Sequence, residues 1–342
     1  MSGTWRQYTS DQVVEWLLEE DLGNAPVRYL TLRDLLDESP NHKSSIAAKE
    51  FMMKTGPIPT ILENQQPDGH WDRDDSIYYN KYLGTCWSVI MLAQMGADGS
   101  DARIQRGCEY ILAHGIGEHG GFSMNGRQSG AAHCIQGNLA ASLLELGYGN
   151  EDRVMQALEW MARSVTGEKF SETKVEGQDH YLRSGISGPD FRCSSNNHEP
   201  CAWGAVKVAL ALSRVPERNR SENIQTAITA CVNFLTSVDP ATAEYPHPWA
   251  PKPSTSWFKF GFPIFYITDL LQILEALAGL GLKDDPRLSN AIDLVLAKRD
   301  KDLCWPMEYT YNGKTWVNIE EKGQPSKWVT LRALRMLKDI IT

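Results

Sequence analysis

The chain of 342 residues has no run of about 20 consecutive apolar residues, the length that a bilayer-spanning helix requires. Its first eleven residues lack a charged start followed by an apolar stretch, so no secretory leader is expected and the reading is a soluble cytoplasmic protein. Basic runs are missing too. The 34 Lys and Arg stand against 43 Asp and Glu, a net charge of -9 with no line of cations to neutralise phosphates, so nucleic acid is a poor partner. No Gly-rich phosphate loop, dinucleotide fingerprint or Ser nucleophile elbow occurs, and no nucleotide cofactor is expected. The seven cysteines are an odd number in a chain too long to need disulfide staples, so reduced thiols are expected, free for packing, metal binding or chemistry.

What the chain does have is helical hairpins. With 42% hydrophobic residues a full core is available. An apolar helical run, a Gly or Pro turn, a polar cap and a second helix recur at residues 87–96 with 101–112, 139–147 with 152–162, 206–216 with 221–235, and 268–281 with 285–296. Leu139, Leu143, Leu144 and Leu146, then Val154, Ala157, Leu158 and Met161, fall at helical spacing. Gly96, Gly147 and Gly281 suit helix C-caps, and Asp101, Asp152 and Asp285 suit the following helix starts. Further helices are expected near residues 16–36, at 47–63 and at 327–341, for about eleven or twelve in all with almost no strand alternation. Long loops at residues 167–200, 240–263 and 301–325 interrupt unequal repeats, which favours closure into a ring over an open solenoid.

The loop Gln65-Gln66-Pro67-Asp68-Gly69-His70-Trp71 has the form Gln, three residues, Gly, one residue, Trp. It resembles the repeat motif of squalene–hopene cyclases and of protein prenyltransferase β subunits. Gly120-Gly121-Phe122 looks like a degenerate copy, and residues 299–305 keep Trp305 without the Gln and Gly. The resemblance covers roughly residues 46–341 and is strongest to single-domain bacterial proteins that carry this repeat. It implies an all-α (α/α)6 toroid whose inner helices line an apolar central cavity, with residues 1–45 as a helical extension packed on the barrel.

Three constellations could carry chemistry. Cys193, His198 and Cys201 close the longest loop at spacings suited to one tetrahedral cation, with Cys134 the candidate fourth ligand because it too begins an apolar helix. The prenyltransferases resembled here bind zinc at such a rim, through an Asp, a Cys and a His. The competing reading makes Cys134 and Cys201 small core residues and His198 a solvated one. Asp72-Arg73-Asp74-Asp75 has the Asp-any-Asp-Asp form of squalene cyclases and class II terpene cyclases, where the middle Asp protonates an alkene. Against that transfer, these acids directly follow the loop Trp, and a capping surface turn explains them equally.

His133 and the Asp179-His180 pair are further acid/base candidates. Tyr245, Trp249, Trp257, Phe258, Phe260, Phe262, Phe265 and Tyr266 crowd one loop, as a lid, a cavity wall or a plug. Ser326 is expected to cap the last helix, beside Trp316 and Trp328.

The leading expectation is an enzyme that acts on an apolar, isoprenoid-like small molecule by acid-initiated cyclisation, isomerisation or dehydration. Asp74, Asp75 or His133 would move the proton, and Trp71, Tyr78, Trp203, Trp257, Phe258, Phe260 and Phe262 would line the substrate. The alternatives are a transferase or lyase using Zn2+ on Cys134, Cys193, His198 and Cys201, and a non-catalytic toroid that holds a lipid or peptide.

Overall fold

The structure, a computed structural model, describes residues 5–181, 185–247 and 252–341, so Trp249 lies outside it. Its helices fall into two concentric sets. The inner set is α2 (Ala25–Leu30) continued by residues 31–35, α5 (Thr85–Gln94), α7 (His133–Glu145), α9 (Ala202–Ser213), α11 (Leu270–Gly279) and α13 (Lys327–Ile341). Each packs on the next, α5 on α7, α7 on α9, α9 on α11, α11 on α13 and α13 on α2. The outer set is α1 (Asp11–Leu17), α3 (Lys43–Lys54), α4 (Pro57–Glu63), α6 (Ala102–His114), α8 (Asp152–Thr166), α10 (Glu222–Leu235) and α12 (Ser289–Ala297). This is the all-α toroid, with one pair of two-residue strands at residues 170–171 and 179–180 among the described residues.

The division follows from composition. Along α5 and α9 nearly every side chain is buried, because an inner helix has neighbours on all sides. In α8 the apolar Val154, Ala157, Leu158 and Met161 make one buried stripe, and the opposite face is polar. Gly96, Gly147 and Gly281 do take positive φ at the hairpin turns, and Asp101 and Asp285 accept hydrogen bonds from the next helix start. The expected single helix at 47–63 is instead two. Gly56 adopts φ +81°, where a Cβ would meet the Leu22 carbonyl at 2.2 Å, and Pro57 opens the next helix. Helix α7 begins six residues before the apolar run that announced it. Gly137 sits inside it because a Cβ there would lie 2.3 Å from the Lys207 carbonyl, so glycine sets the close α7–α9 approach. The first 45 residues also supply α2, an inner helix whose Leu30 lines the interior.

The motif loop joins an outer helix to the next inner one. The Trp71 indole N–H donates to the Ile61 carbonyl of α4 at 2.7 Å, and its backbone N–H donates to Thr85 Oγ1 of α5 at 3.1 Å. Gln65 Nε2 donates to the carbonyls of Gly69 and Arg103, at 3.1 and 2.9 Å. Gly69 adopts φ +105°, with the Arg106 carbonyl 2.4 Å from where a Cβ would sit. The degenerate copy around Trp305 keeps the same two clamps, indole to the Val295 carbonyl at 2.7 Å and backbone N–H to Thr330 Oγ1 at 3.0 Å. Residues Ile116 and Phe122 make the bridge that Gln65 and Trp71 make. Trp71→Phe and Trp305→Phe should each cost about 1–3 kcal/mol, since each loses a buried indole hydrogen bond and leaves space in a fully buried site. Urea midpoints check this, and an unchanged midpoint in both would remove the clamp.

Candidate functional site

A cavity of about 490 Å3 opens at the rim where the inner helices begin. Its walls include the aromatic rings of Tyr78, Tyr79, Trp203, Tyr245, Trp257 and Tyr266, with His247 beside them. Trp257 lies edge-on to Trp203 and tilted against Tyr245, with centroids 6.5 and 5.6 Å apart. The ammonium of Lys81 sits 4.9 Å from the centre of the Tyr78 ring and 5.0 Å from that of Tyr266. Among the described residues no Asp or Glu lines this cavity.

The structure brings together part of what the sequence singled out. Tyr78, Trp203 and Trp257 share the cavity, as do Cys134, Cys193 and Cys201. Phe260 is fully buried behind it, its backbone N–H held by Glu308. Phe262 stacks on Trp328 at 3.8 Å, near the opposite mouth, and Phe258 packs half-buried against the core. Trp71 is a clamp with no exposed surface, so it does not line the cavity.

Of the acid candidates, Asp75 lines a neighbouring pocket that shares Tyr78, Tyr79, Met124 and Gly185 with the rim cavity. Both Asp74 and Asp75 are exposed. The Arg73 guanidinium binds Asp75 at 2.7 Å and holds its carboxyl below the usual range, which makes it a poor proton donor, and the Asp74 carbonyl accepts from Tyr110 at 2.8 Å. The physical reason is local: with Trp71 locked inward, the residues directly after it run over the surface. His133 is buried, and its Nε2 meets Ser164 Oγ at 2.7 Å while that hydroxyl donates to the Met161 carbonyl. Burial pushes the imidazole down to about 3, so it stays neutral at ordinary pH. Asp179 holds Gln128 Nε2 and the Trp160 indole N–H, the latter at 3.1 Å, as part of the loop scaffold.

The metal set is not assembled. His198 is exposed at positive φ, turned away from the two cysteines that flank it. Among the described residues no three His, Cys, Asp or Glu form a group able to hold a metal ion, so no step is derived through zinc. What does form is a thiol pair. Arg192 and Pro200 bridge antiparallel, and the Cys201 N–H donates to the Phe191 carbonyl at 2.9 Å, which places Cys193 and Cys201 on facing arms of a hairpin, both lining the cavity. Ser187 bridges Cys193 antiparallel from the other side, and the Asn196 N–H donates to the Cys193 carbonyl at 2.9 Å. The neighbouring Cys201 thiol holds Cys193 below the usual thiol range, and Cys201 itself is raised. Burial pushes Cys134 up to about 12.

Sequence reasoning missed Lys81 and Ser187. Lys81 stands in the Tyr-rich stretch at residues 78–82, which was a legible signal, whereas nothing local marks Ser187.

A second cavity of about 290 Å3 occupies the opposite mouth and is polar, with Glu145, Arg214, Glu275 and Arg332 in its wall. Between the mouths, Lys207 of α9 is fully buried and donates to Gln272 Oε1, which also accepts from the Thr268 hydroxyl at 2.7 Å.

No family model matches the chain, and no curated protein matches it. Among solved structures it is similar to type II terpene cyclase MstE from Scytonema without ligand, at 12% identity and TM-score 0.34 over 83% of this chain and 95% of that one. It is likewise similar to a variant of that enzyme with the product merosterolic acid A, at 12% identity and TM-score 0.35 over 83% and 94%. A further variant, with the substrate geranylgeranyl dihydroxybenzoate, aligns at 10% identity and TM-score 0.33 over the same shares.

Proposed function

We propose that the protein binds an apolar, isoprenoid-like small molecule in the rim cavity and converts it there by an isomerisation that uses no carboxylic acid. The observation that carries this reading is the wall: six tyrosine and tryptophan rings around about 490 Å3, with thiols, phenols, the His247 imidazole and one ammonium as its reactive groups and no carboxylate among the described residues. The volume lies within the ~300–1,000 Å3 typical of small-molecule sites. Flat aromatic walls suit an apolar chain with π-bonds, and Lys81 over Tyr78 offers a positive charge to a carbonyl oxygen at the mouth. Cyclisation started by Asp75 is disfavoured because Arg73 holds its carboxyl below the usual range, and Asp74 is exposed and does not line the cavity.

The cavity reading is tested with N-phenyl-1-naphthylamine, an apolar fluorophore that accepts energy from Trp. It should bind the parent protein and be displaced by farnesol. Trp203→Ala should weaken that binding about tenfold, the loss of roughly 1.4 kcal/mol of ring contact. Trp203 is half-buried, so its urea midpoint should stay close to the parent's. Equal binding by both proteins would place the fluorophore outside this cavity.

A further inference from the structure

The rings of the rim cavity fall into two groups by what they touch. Trp257 packs on both Trp203 and Tyr245, and the Tyr245 hydroxyl is turned away into the fold, donating to the Leu235 carbonyl at 2.7 Å. That side of the wall is apolar. Tyr78 and Tyr266 form the other group and are joined by Lys81, whose ammonium lies over both rings and donates to the Tyr266 hydroxyl at 3.3 Å. That side carries the charge. An exposed lysine ordinarily swings through solvent and pays side-chain entropy whenever it is fixed, whereas here two rings and a phenol hold the ammonium in place beforehand. Among the described residues no carboxylate pairs with it, and the lining has no other lysine and no arginine.

We propose that Lys81 selects the head group of the ligand and that the site takes an apolar carboxylic acid, with its carboxylate at Lys81 and its hydrocarbon body against Trp203 and Trp257. The proposal rests on the cavity reading above and adds to it the chemical class of the ligand. A carboxylate brings one negative charge to one ammonium, which is the match that this wall offers. A diphosphate head would leave most of its charge uncompensated among aromatic rings, and an alcohol would leave the ammonium without a counter-ion. The rings of Tyr78 and Tyr266 keep water from one side of the pair, so the attraction exceeds that between two freely solvated charges. Lys81 is thus a specificity-determining residue, while the tryptophans supply contact area that any apolar body can use.

The test uses the full chain, with N-phenyl-1-naphthylamine as the reporter and farnesoic acid, methyl farnesoate and farnesyl diphosphate as competitors of one skeleton. At about pH 8, well above the pKa of a carboxylic acid, farnesoic acid is ionised. It should displace the fluorophore at about one tenth of the concentration that its methyl ester needs, the gain of one hydrogen bond between charged groups. Added salt should shrink that ratio. Lys81→Met should bring acid and ester together, and Lys81→Arg should keep them apart. Lys81 is exposed and the fluorophore uncharged, so both variants should fold and report. Equal displacement by acid and ester in the parent would overturn the proposal, as would an acid preference that survives Lys81→Met or a diphosphate that binds more tightly than the acid. If the fluorophore fails to bind the parent, farnesoic acid labelled with 13C at its carboxyl separates the two readings. A Lys81-dependent shift of that resonance keeps the head-group site and removes the apolar cavity, and no shift removes both.

Discussion

Replacing Arg332 by Met is expected to cost about 3–5 kcal/mol of stability, the largest loss from any single side chain considered. Arg332 lies on the inner face of α13, 6% exposed, and donates to both carboxylate oxygens of Asp269, at 2.8 and 3.0 Å, and to the Gly261 carbonyl at 2.8 Å. It contacts Glu275 at 3.3 Å as well. Asp269 is 1% exposed and also caps α11, accepting the Gln272 N–H at 2.9 Å. Removing the guanidinium leaves the buried Asp269 carboxylate without its hydrogen-bonded countercharge, with only the largely neutral Lys207 nearby, and that poorly compensated charge is the source of the loss. A fall of the urea midpoint measures it. Asp269→Asn in the Arg332→Met background should recover part of the loss, because the cap survives and the charge does not. A change under about 1 kcal/mol in the single variant would mean that water reaches the pair.

Replacing Lys207 by Met should flatten the dependence of stability on alkaline pH. An amine in the unfolded chain holds its proton to a pH of about 10.4, whereas burial pushes Lys207 in the folded chain down to about 7. Between those values the unfolded state binds the extra proton, so stability rises with pH by about 1.4 kcal/mol per unit. Across the window the parent should therefore gain up to about 5 kcal/mol from this group alone. Below pH 7 both states are protonated, and the folded one carries the full desolvation penalty. The Met variant lacks the penalty and the gain. It should be the more stable protein at pH 7, with the difference closing and then reversing toward pH 10, where the parent's neutral amine keeps its bond to Gln272. Urea unfolding of both proteins at several values from pH 6.5 to about 10 reads the difference, in which other titrating groups cancel. Parallel curves would show that Lys207 keeps its proton in the fold.

Why these two residues escaped notice as sequence is instructive. Each is a charged residue in a helical stretch, and on an isolated amphipathic helix such a residue faces water. An inner helix of a toroid has no water face. Charges on it must find partners inside, as Arg332 does in Asp269, or be held neutral, as Lys207 is.

The repeat loop was legible to the residue. A Gln that bridges two carbonyls, a Gly that accepts positive φ and a Trp that hydrogen-bonds to the preceding helix do their work within about 40 positions, so their spacing survives in the linear chain. The same locality misled elsewhere. Asp72 to Asp75 follow Trp71 directly and have a catalytic form, yet the inward lock of that Trp is what turns them out to solvent. The aromatic loop was expected as a lid, a cavity wall or a plug, but only Tyr245, Trp257 and Tyr266 of its described rings reach the rim cavity, while Phe262 stacks at the other mouth.

Helical periodicity, hairpin caps and the clamp motif were therefore determined by the sequence itself, because each depends on contacts made within one turn or between successive helices. Which side chains share a cavity was decided only by closing the ring. Closure sets Cys134 of α7 beside Cys201 at the head of α9, and Tyr78 across from Trp257. It also turned Cys193 from an expected zinc ligand beside His198 into one half of a thiol pair, since the hairpin that brings Cys201 back to it leaves His198 on the outside of the bend. Those positions are set by packing between residues far apart in the chain, and no spacing in a linear sequence encodes the direction in which a helix face points once its neighbours surround it.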